Sequence, residues 1–179
     1  TGKIDRAAEC PLNQPTAVVG NNDRLFIAMT GSNQIWEFDL GNIRLKFIAG
    51  TGELGIADGP GRNALLAQPM GLAMVQQTLY VADAATSAVR AVQLQQGTVQ
   101  TLVGQGLYEF GETDGQRREA RLQYPQALAL DANSTVLWVA DTYNGSLRKL
   151  KLGGGEMSTH PLPQRLGQRA PSGPARLRA

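Results

Sequence analysis

The chain of 179 residues holds a single cysteine, Cys10, and a single histidine, His160. One thiol excludes an internal disulfide and a CxxC redox pair. One imidazole excludes a histidine-rich zinc site. Long apolar runs are also missing. Nothing approaches the roughly 18 consecutive apolar residues of a spanning helix, so no membrane contact is expected. Aromatic residues make up only 6%, and the formal net charge is only +2. Even that small excess is local. Arg165, Arg169, Arg176 and Arg178 lie in a closing stretch without an acid, which leaves 13 bases against 15 acids in residues 1–160. Such a body is a poor match for the basic face that nucleic acid requires, which argues against RNA or DNA as a partner class. The Arg/Pro/Gly-rich residues 161–179 read as a disordered basic tail.

What is present is a repeat. Asn13-Gln14-Pro15-Thr16-Ala17-Val18-Val19 aligns with Ala67-Gln68-Pro69-Met70-Gly71-Leu72-Ala73 and with Gln123-Tyr124-Pro125-Gln126-Ala127-Leu128-Ala129. A leucine stands three places before each proline: Leu12, Leu66 and Leu122. Further on, Leu25 to Met29 aligns with Leu79 to Asp83 and with Leu137 to Asp141, runs whose aromatic and β-branched content is strand-like. A second strand-like run follows: Gln34-Ile35-Trp36, Ala88-Val89-Arg90 and Ser146-Leu147-Arg148. Asn144-Gly145 lies between the last pair and favours a type I′ hairpin turn. A fourth run closes on glycine at Gly50 and Gly104.

Four short antiparallel strands recurring at this period predict an all-β fold of about three β-propeller blades. They are expected over residues 11–50, 65–104 and 121–160, with connectors at 50–68 and 104–124, the last strand of the third blade being the weakest. The runs are apolar on both sides, as expected of sheets covered on both faces by neighbours. Helical periodicity extends no further than Asn63 to Gln68. Each connector carries an Asp-Gly pair, Asp58-Gly59 and Asp114-Gly115, eleven residues before its proline.

These residues resemble the NHL repeat, whose pattern runs from Asp-Gly through Pro-x-Gly-Leu-Ala and Leu-Tyr-Val-Ala-Asp to Asn-x-x-Ile-Arg. The second blade matches with Asp58, Gly59, Pro69, Asp83 and Arg90, and the third with Asp114, Gly115, Pro125, Asp141, Asn144 and Arg148. The first blade departs from the pattern, with Met29 in place of aspartate and Trp36 in place of arginine. The segments Val18 to Phe38 and Leu107 to Gly115 look like the NHL branch in which a thioredoxin-like domain precedes a six-bladed propeller. That resemblance implies an interior fragment, with any redox chemistry in a domain outside it.

Candidate chemistry is thin. Gly50-Thr51-Gly52-Glu53-Leu54-Gly55 satisfies GxGxxG, yet Asp58-Gly59-Pro60-Gly61 cannot continue the helix that a dinucleotide site needs. Asp83 and Asp141 end hairpins that read as exposed, where a turn aspartate ordinarily accepts backbone N–H groups. Arg90 and Arg148 are expected to pair with acids in the same or the neighbouring blade, with phosphate binding the minor alternative. No catalytic residue, metal or cofactor is expected. Tyr108, Glu109, Phe110 and Glu112, an aromatic-acidic insertion in the longer connector, are the best candidates for contact with a partner. An aromatic folded over a blade edge is nonetheless the commoner outcome.

The reading is therefore a scaffold for a protein partner or a small ligand, in the cytoplasm if anywhere. The alternatives are an RNA-binding surface and an accessory domain of a thioredoxin-like protein. Open outer faces on a three-blade segment also predict self-association.

Overall fold

A computed structural model describes residues 4–6 and 12–162. Its strands form three antiparallel sheets, and each sheet follows one pass of the repeat. Proline opens the innermost strand every time: β2 (Pro15–Gly20), β7 (Pro69–Val75) and β12 (Pro125–Leu130). A first position on an edge strand tolerates its missing N–H. The aromatic and β-branched runs follow as β3 (Arg24–Met29), β8 (Thr78–Asp83) and β13 (Val136–Asp141). Next come β4 (Gln34–Asp39), β9 (Ala88–Gln93) and β14 (Ser146–Lys151). The outer meander strands are β5 (Arg44–Ala49), β10 (Thr98–Val103) and β15 (Glu156–His160). The expected weak strand near residue 160 is thus formed, with Leu150 opposite Met157 and Leu147 opposite His160.

Each sheet has five strands rather than the expected four. The fifth is a short segment on the outer edge: β1 (Ile4–Arg6) beside β5, β6 (Gly59–Pro60) beside β10, and β11 (Gly115–Gln116) beside β15. In β6 and β11 it comes from the Asp-Gly connector. Two residues around a glycine carry no strand pattern, and only the neighbouring edge gives them one.

The type I′ turn expected at Asn144-Gly145 is not what forms. Thr142–Asn144 make one turn of 3-10 helix and Gly145 alone takes positive φ, at 62°. A type I′ turn needs two such residues. The same turn recurs with Asn33 at φ 54° and Ser87 at φ 51° in the left-handed place. Nor does Asn63 to Gln68 become a helix: Leu65 instead bridges Ala57, since so short a span cannot nucleate one.

The sheets fan around their inner strands, with β7 touching β2 on one side and β12 on the other. Close approach there depends on Gly71. A Cβ at that position would lie 2.6 Å from the Gln126 carbonyl oxygen and 2.8 Å from the Ala127 Cα. One apolar layer joins the first two sheets through Phe26, Ile35, Leu66, Leu79 and Val81. A second joins the last two through Val89, Val103, Leu122, Leu137 and Met157. Among the described residues, coverage on both faces therefore holds for the middle sheet only, whose β9 is buried over Ala88–Val92. Leu66 and Leu122 are buried, but Leu12, on the open side of the first sheet, is 45% exposed.

Candidate functional site

The recurring charges meet in the interior. In the middle blade Arg90 is fully buried and donates through Nη2 to Asp58 Oδ1 at 2.9 Å and through Nη1 to Asp83 Oδ2 at 3.1 Å. The same guanidinium donates to the carbonyls of Leu65 and Ala57, each at 2.9 Å. Asp83 is fully buried as well, which corrects its sequence-based placement on an exposed hairpin. Its Oδ1 accepts the Ala67 N–H at 2.7 Å and its Oδ2 the Thr86 hydroxyl at 2.7 Å. Asp58 Oδ1 also accepts the Thr101 hydroxyl, at 2.7 Å.

Blade three repeats the set. Arg148 donates to Asp114 at 2.7 Å, to Asp141 at 2.9 Å, and to the carbonyls of Arg121 and Thr113. Asp141, buried rather than exposed, accepts from Gln123 N and Asn144 Nδ2. Asp114 receives both the N–H and the hydroxyl of Thr159. Each arginine thus ties a connector to the sheet that follows it, and each connector aspartate occupies an N–H or hydroxyl on the outer strand. The turn aspartates also take backbone donors, Ala67 N and Gln123 N, next to the strand-opening prolines.

Electrostatics follow from depth. Burial pushes the Asp83 carboxyl up to about 6, against the pull of Arg90 and the bonds from Thr86 and Ala67. Burial raises Asp141 as well, outweighing Gln123, Asn144 and Arg148. At the half-exposed Asp58 and Asp114 burial also acts upward. There the bonds from Thr101 or Thr159, with the arginine, outweigh it and hold the carboxyl below its ordinary range. In each of the two blades one guanidinium thus bonds two carboxylates and two backbone carbonyls through Nη1 and Nη2, while its buried Nε has no partner among the described residues. Among the described residues, no group of three His, Cys, Asp or Glu is placed to hold a metal ion.

Blade one has replaced the whole set. Met29 stands at the position of Asp83, Trp36 at that of Arg90 and Phe47 at that of Thr101, by strand register. Ile4 occupies the register place of Asp58. Trp36 and Phe47 pack edge to face with centroids 5.9 Å apart. Where blades two and three set an ionic cluster, blade one packs Trp36 against Met29 and Phe47.

The aromatic insertion behaves differently from the commoner expectation. Tyr108 is 87% exposed and Phe110 54%, so neither folds over a blade edge. Their loop is pinned from behind. Asn144 Nδ2 donates to the Gly111 carbonyl at 2.7 Å, and the Ser146 hydroxyl bonds Glu112 Oε1 at 2.5 Å. Tyr143, next to Asn144 in sequence, is 64% exposed and stacks on Tyr124 with centroids 4.6 Å apart. The Tyr124 hydroxyl reaches back to Gln68 Oε1 in blade two at 2.6 Å. At this end of the arc Gln68, Tyr124 and Tyr143 are thus linked in series, and Asn144, next in sequence, holds the loop that carries Phe110.

Sequence reasoning missed two kinds of residue here. Thr101 and Thr159 sit eleven places after Arg90 and Arg148, an offset visible in the repeat. Gln14, Gln68 and Tyr124 take positive φ immediately before the prolines, at 49°, 55° and 52°. No signal marks that, because the residue before proline ordinarily stays extended. The backbone there serves contacts between blades: Gln68 N donates to Asn33 Oδ1 at 2.9 Å and Tyr124 N to Ser87 Oγ at 3.3 Å.

Meandering sheets fanned about their inner strands, each with an outer strand added on its edge, define a β-propeller segment. No family model matches the chain. Human NHL repeat-containing protein 2 is 34% identical over 151 residues, which cover 73% of this chain and 21% of that protein. Protein SUPPRESSOR OF QUENCHING 1, chloroplastic, from Arabidopsis thaliana is 32% identical over 138 residues, 72% of this chain and 13% of that protein. Among solved structures, an auxiliary nutrient binding protein from Bacteroides ovatus superposes with a TM-score of 0.65 at 21% identity, over 80% of this chain and 37% of that one, a likeness of fold. The chain is an NHL-type β-propeller segment, homologous to NHL repeat-containing protein 2. It spans 21% of the human relative's length and 13% of the Arabidopsis one's.

Proposed function

We propose that the chain is a non-catalytic propeller scaffold that holds a protein partner at the connector end of blade three. One contrast supports this reading. The recurring acids and arginines of blades two and three are engaged with one another and with the backbone, while Tyr108 and Phe110 stand in solvent on a pinned loop. Large exposed aromatics on a rigid support are the usual anchors of protein interfaces. Glu109 and Glu112 flank them and disfavour a nucleic-acid partner, whose phosphates they would repel.

The test compares affinity capture by the intact chain with capture by a Tyr108→Ala/Phe110→Ala variant of unchanged circular dichroism. Loss of the captured proteins in the variant is the expected result. Equal capture by both would place the partner surface elsewhere.

A further inference from the structure

The exposed row in blade three differs in charge pairing from the opposite end of the arc. At that far end, where the turns between first and second strands and between third and fourth strands gather, Asp23, Asp39 and Asp131 stand among the cations. Arg24 opens β3, Arg44 opens β5 and Lys151 closes β14, with Glu156 2.6 Å from Lys151. Arg117 donates to the Leu152 carbonyl in one of these far turns at 2.9 Å.

At the connector end, by contrast, the exposed Glu53, Glu109 and Glu112 form no ion pair among the described residues. Arg121, packed against Gly111, turns its Nη1 to the carbonyls of Arg118, Glu119 and Ala120 and makes no ion pair with these glutamates. The aromatic faces beside these carboxylates are equally unused, with Tyr108, Phe110 and Tyr143 all more than half exposed.

Aromatic faces and carboxylates lacking counter-ions together suit one kind of group. A guanidinium can lie flat on a ring and donate to a carboxylate at the same time. A neutral apolar segment would leave the carboxylates without partners, and an anionic one would be repelled. We infer that the partner presents an arginine-bearing peptide segment to the surface formed by Tyr108, Phe110, Tyr143, Glu109 and Glu112. This rests on the scaffold reading above and names the chemistry of that same surface.

The probe is a short fluorescent peptide with regularly spaced arginines, read by anisotropy against the intact chain. One control peptide carries citrulline at each arginine and another carries glutamate. The arginine peptide should bind and weaken with salt, as screened contacts do. Citrulline should weaken it by at least about fivefold, since the cation supplies both the ring contact and the ion pair. Tyr108→Ala/Phe110→Ala should weaken it about tenfold, two exposed cation–ring contacts being worth a few-fold each. Glu109→Gln/Glu112→Gln should weaken it a few-fold and flatten the salt dependence.

Equal binding of the arginine and citrulline peptides, lost in the aromatic variant, would overturn the cationic chemistry while leaving the surface assignment standing. Arginine-peptide binding unchanged by the aromatic variant would overturn both. No binding of the arginine peptide to the intact chain, or preference for the glutamate peptide, would overturn the inference outright.

Discussion

At Asp83 a carboxylate is buried beside Arg90, and its pKa lies near 6 in the fold. An aspartate in the unfolded chain titrates near about 4. Between those two values the folded chain holds a proton that the unfolded chain has released. Stability therefore falls as pH rises from about 4 to about 6, and the penalty is complete above that window. Asp141, also raised, contributes with the same sign. Asp58 and Asp114 have lowered values, so their contributions are lost only as pH falls below the window. Urea midpoints measured across the interval should decline with rising pH, and Asp83→Asn should flatten the slope. A midpoint that rises with pH as steeply in the variant as in the parent would contradict this account. The seven-residue spacing from Asp83 to Arg90 and from Asp141 to Arg148 is plain in the sequence. The depth that shifts these carboxylates is not, because it is set by the sheet packed over them.

The blade-two lattice is a property of strands rather than of any one residue. Asp58 sits just before β6, Asp83 ends β8, Arg90 lies within β9 and Thr101 within β10, so one charged cluster ties four neighbouring strands. Removing Arg90 alone would leave Asp83 buried without its cation. Arg90→Met should cost about 3–5 kcal/mol by denaturant unfolding, the range for breaking a buried pair. Blade one supplies the comparison. Transplanting its residues as a set, Asp58→Ile/Asp83→Met/Arg90→Trp/Thr101→Phe, should recover most of that loss, since well-packed apolar groups can replace a buried ion cluster. A transplant less stable than Arg90→Met would show that blade one depends on surroundings blade two lacks. The repeat made the strands and their order legible, including the departure at Met29 and Trp36. It did not reveal the fifth strand or the link from Arg90 to Asp58, 32 residues apart, because those partners meet only when a connector folds back along the outer edge.

Across the whole molecule the two open sheets are unlike. On the third blade, Lys149 Nζ lies 5.0 Å from the Trp138 ring centroid and His160 packs edge-on at 5.1 Å, so the large aromatic is covered by polar neighbours. On the first blade, Val18 is 61% exposed beside Leu12, Pro15 and Ile27, around a cavity of about 300 Å³. Association of the chain with itself is therefore expected to run through the blade-one side, following the general hazard of uncovered apolar sheet. Light scattering should show a larger species for the parent chain than for Val18→Lys, which places a charge on that face. Equal sizes for the two would exclude Val18 from the contact.

Sequence alone determined the repeat, the succession of four strands within it and the absence of any histidine or cysteine cluster. Those follow from local pattern: a strand needs only its own residues and a turn, and a ligand cluster needs its ligands. Tertiary structure alone decided that Asp83 and Asp141 are interior, that each connector adds an edge strand, and that Tyr108 and Phe110 face solvent. Burial and pairing are relations between segments tens of residues apart. The same aspartate or tyrosine reads identically in sequence whether a neighbouring blade covers it or leaves it in water.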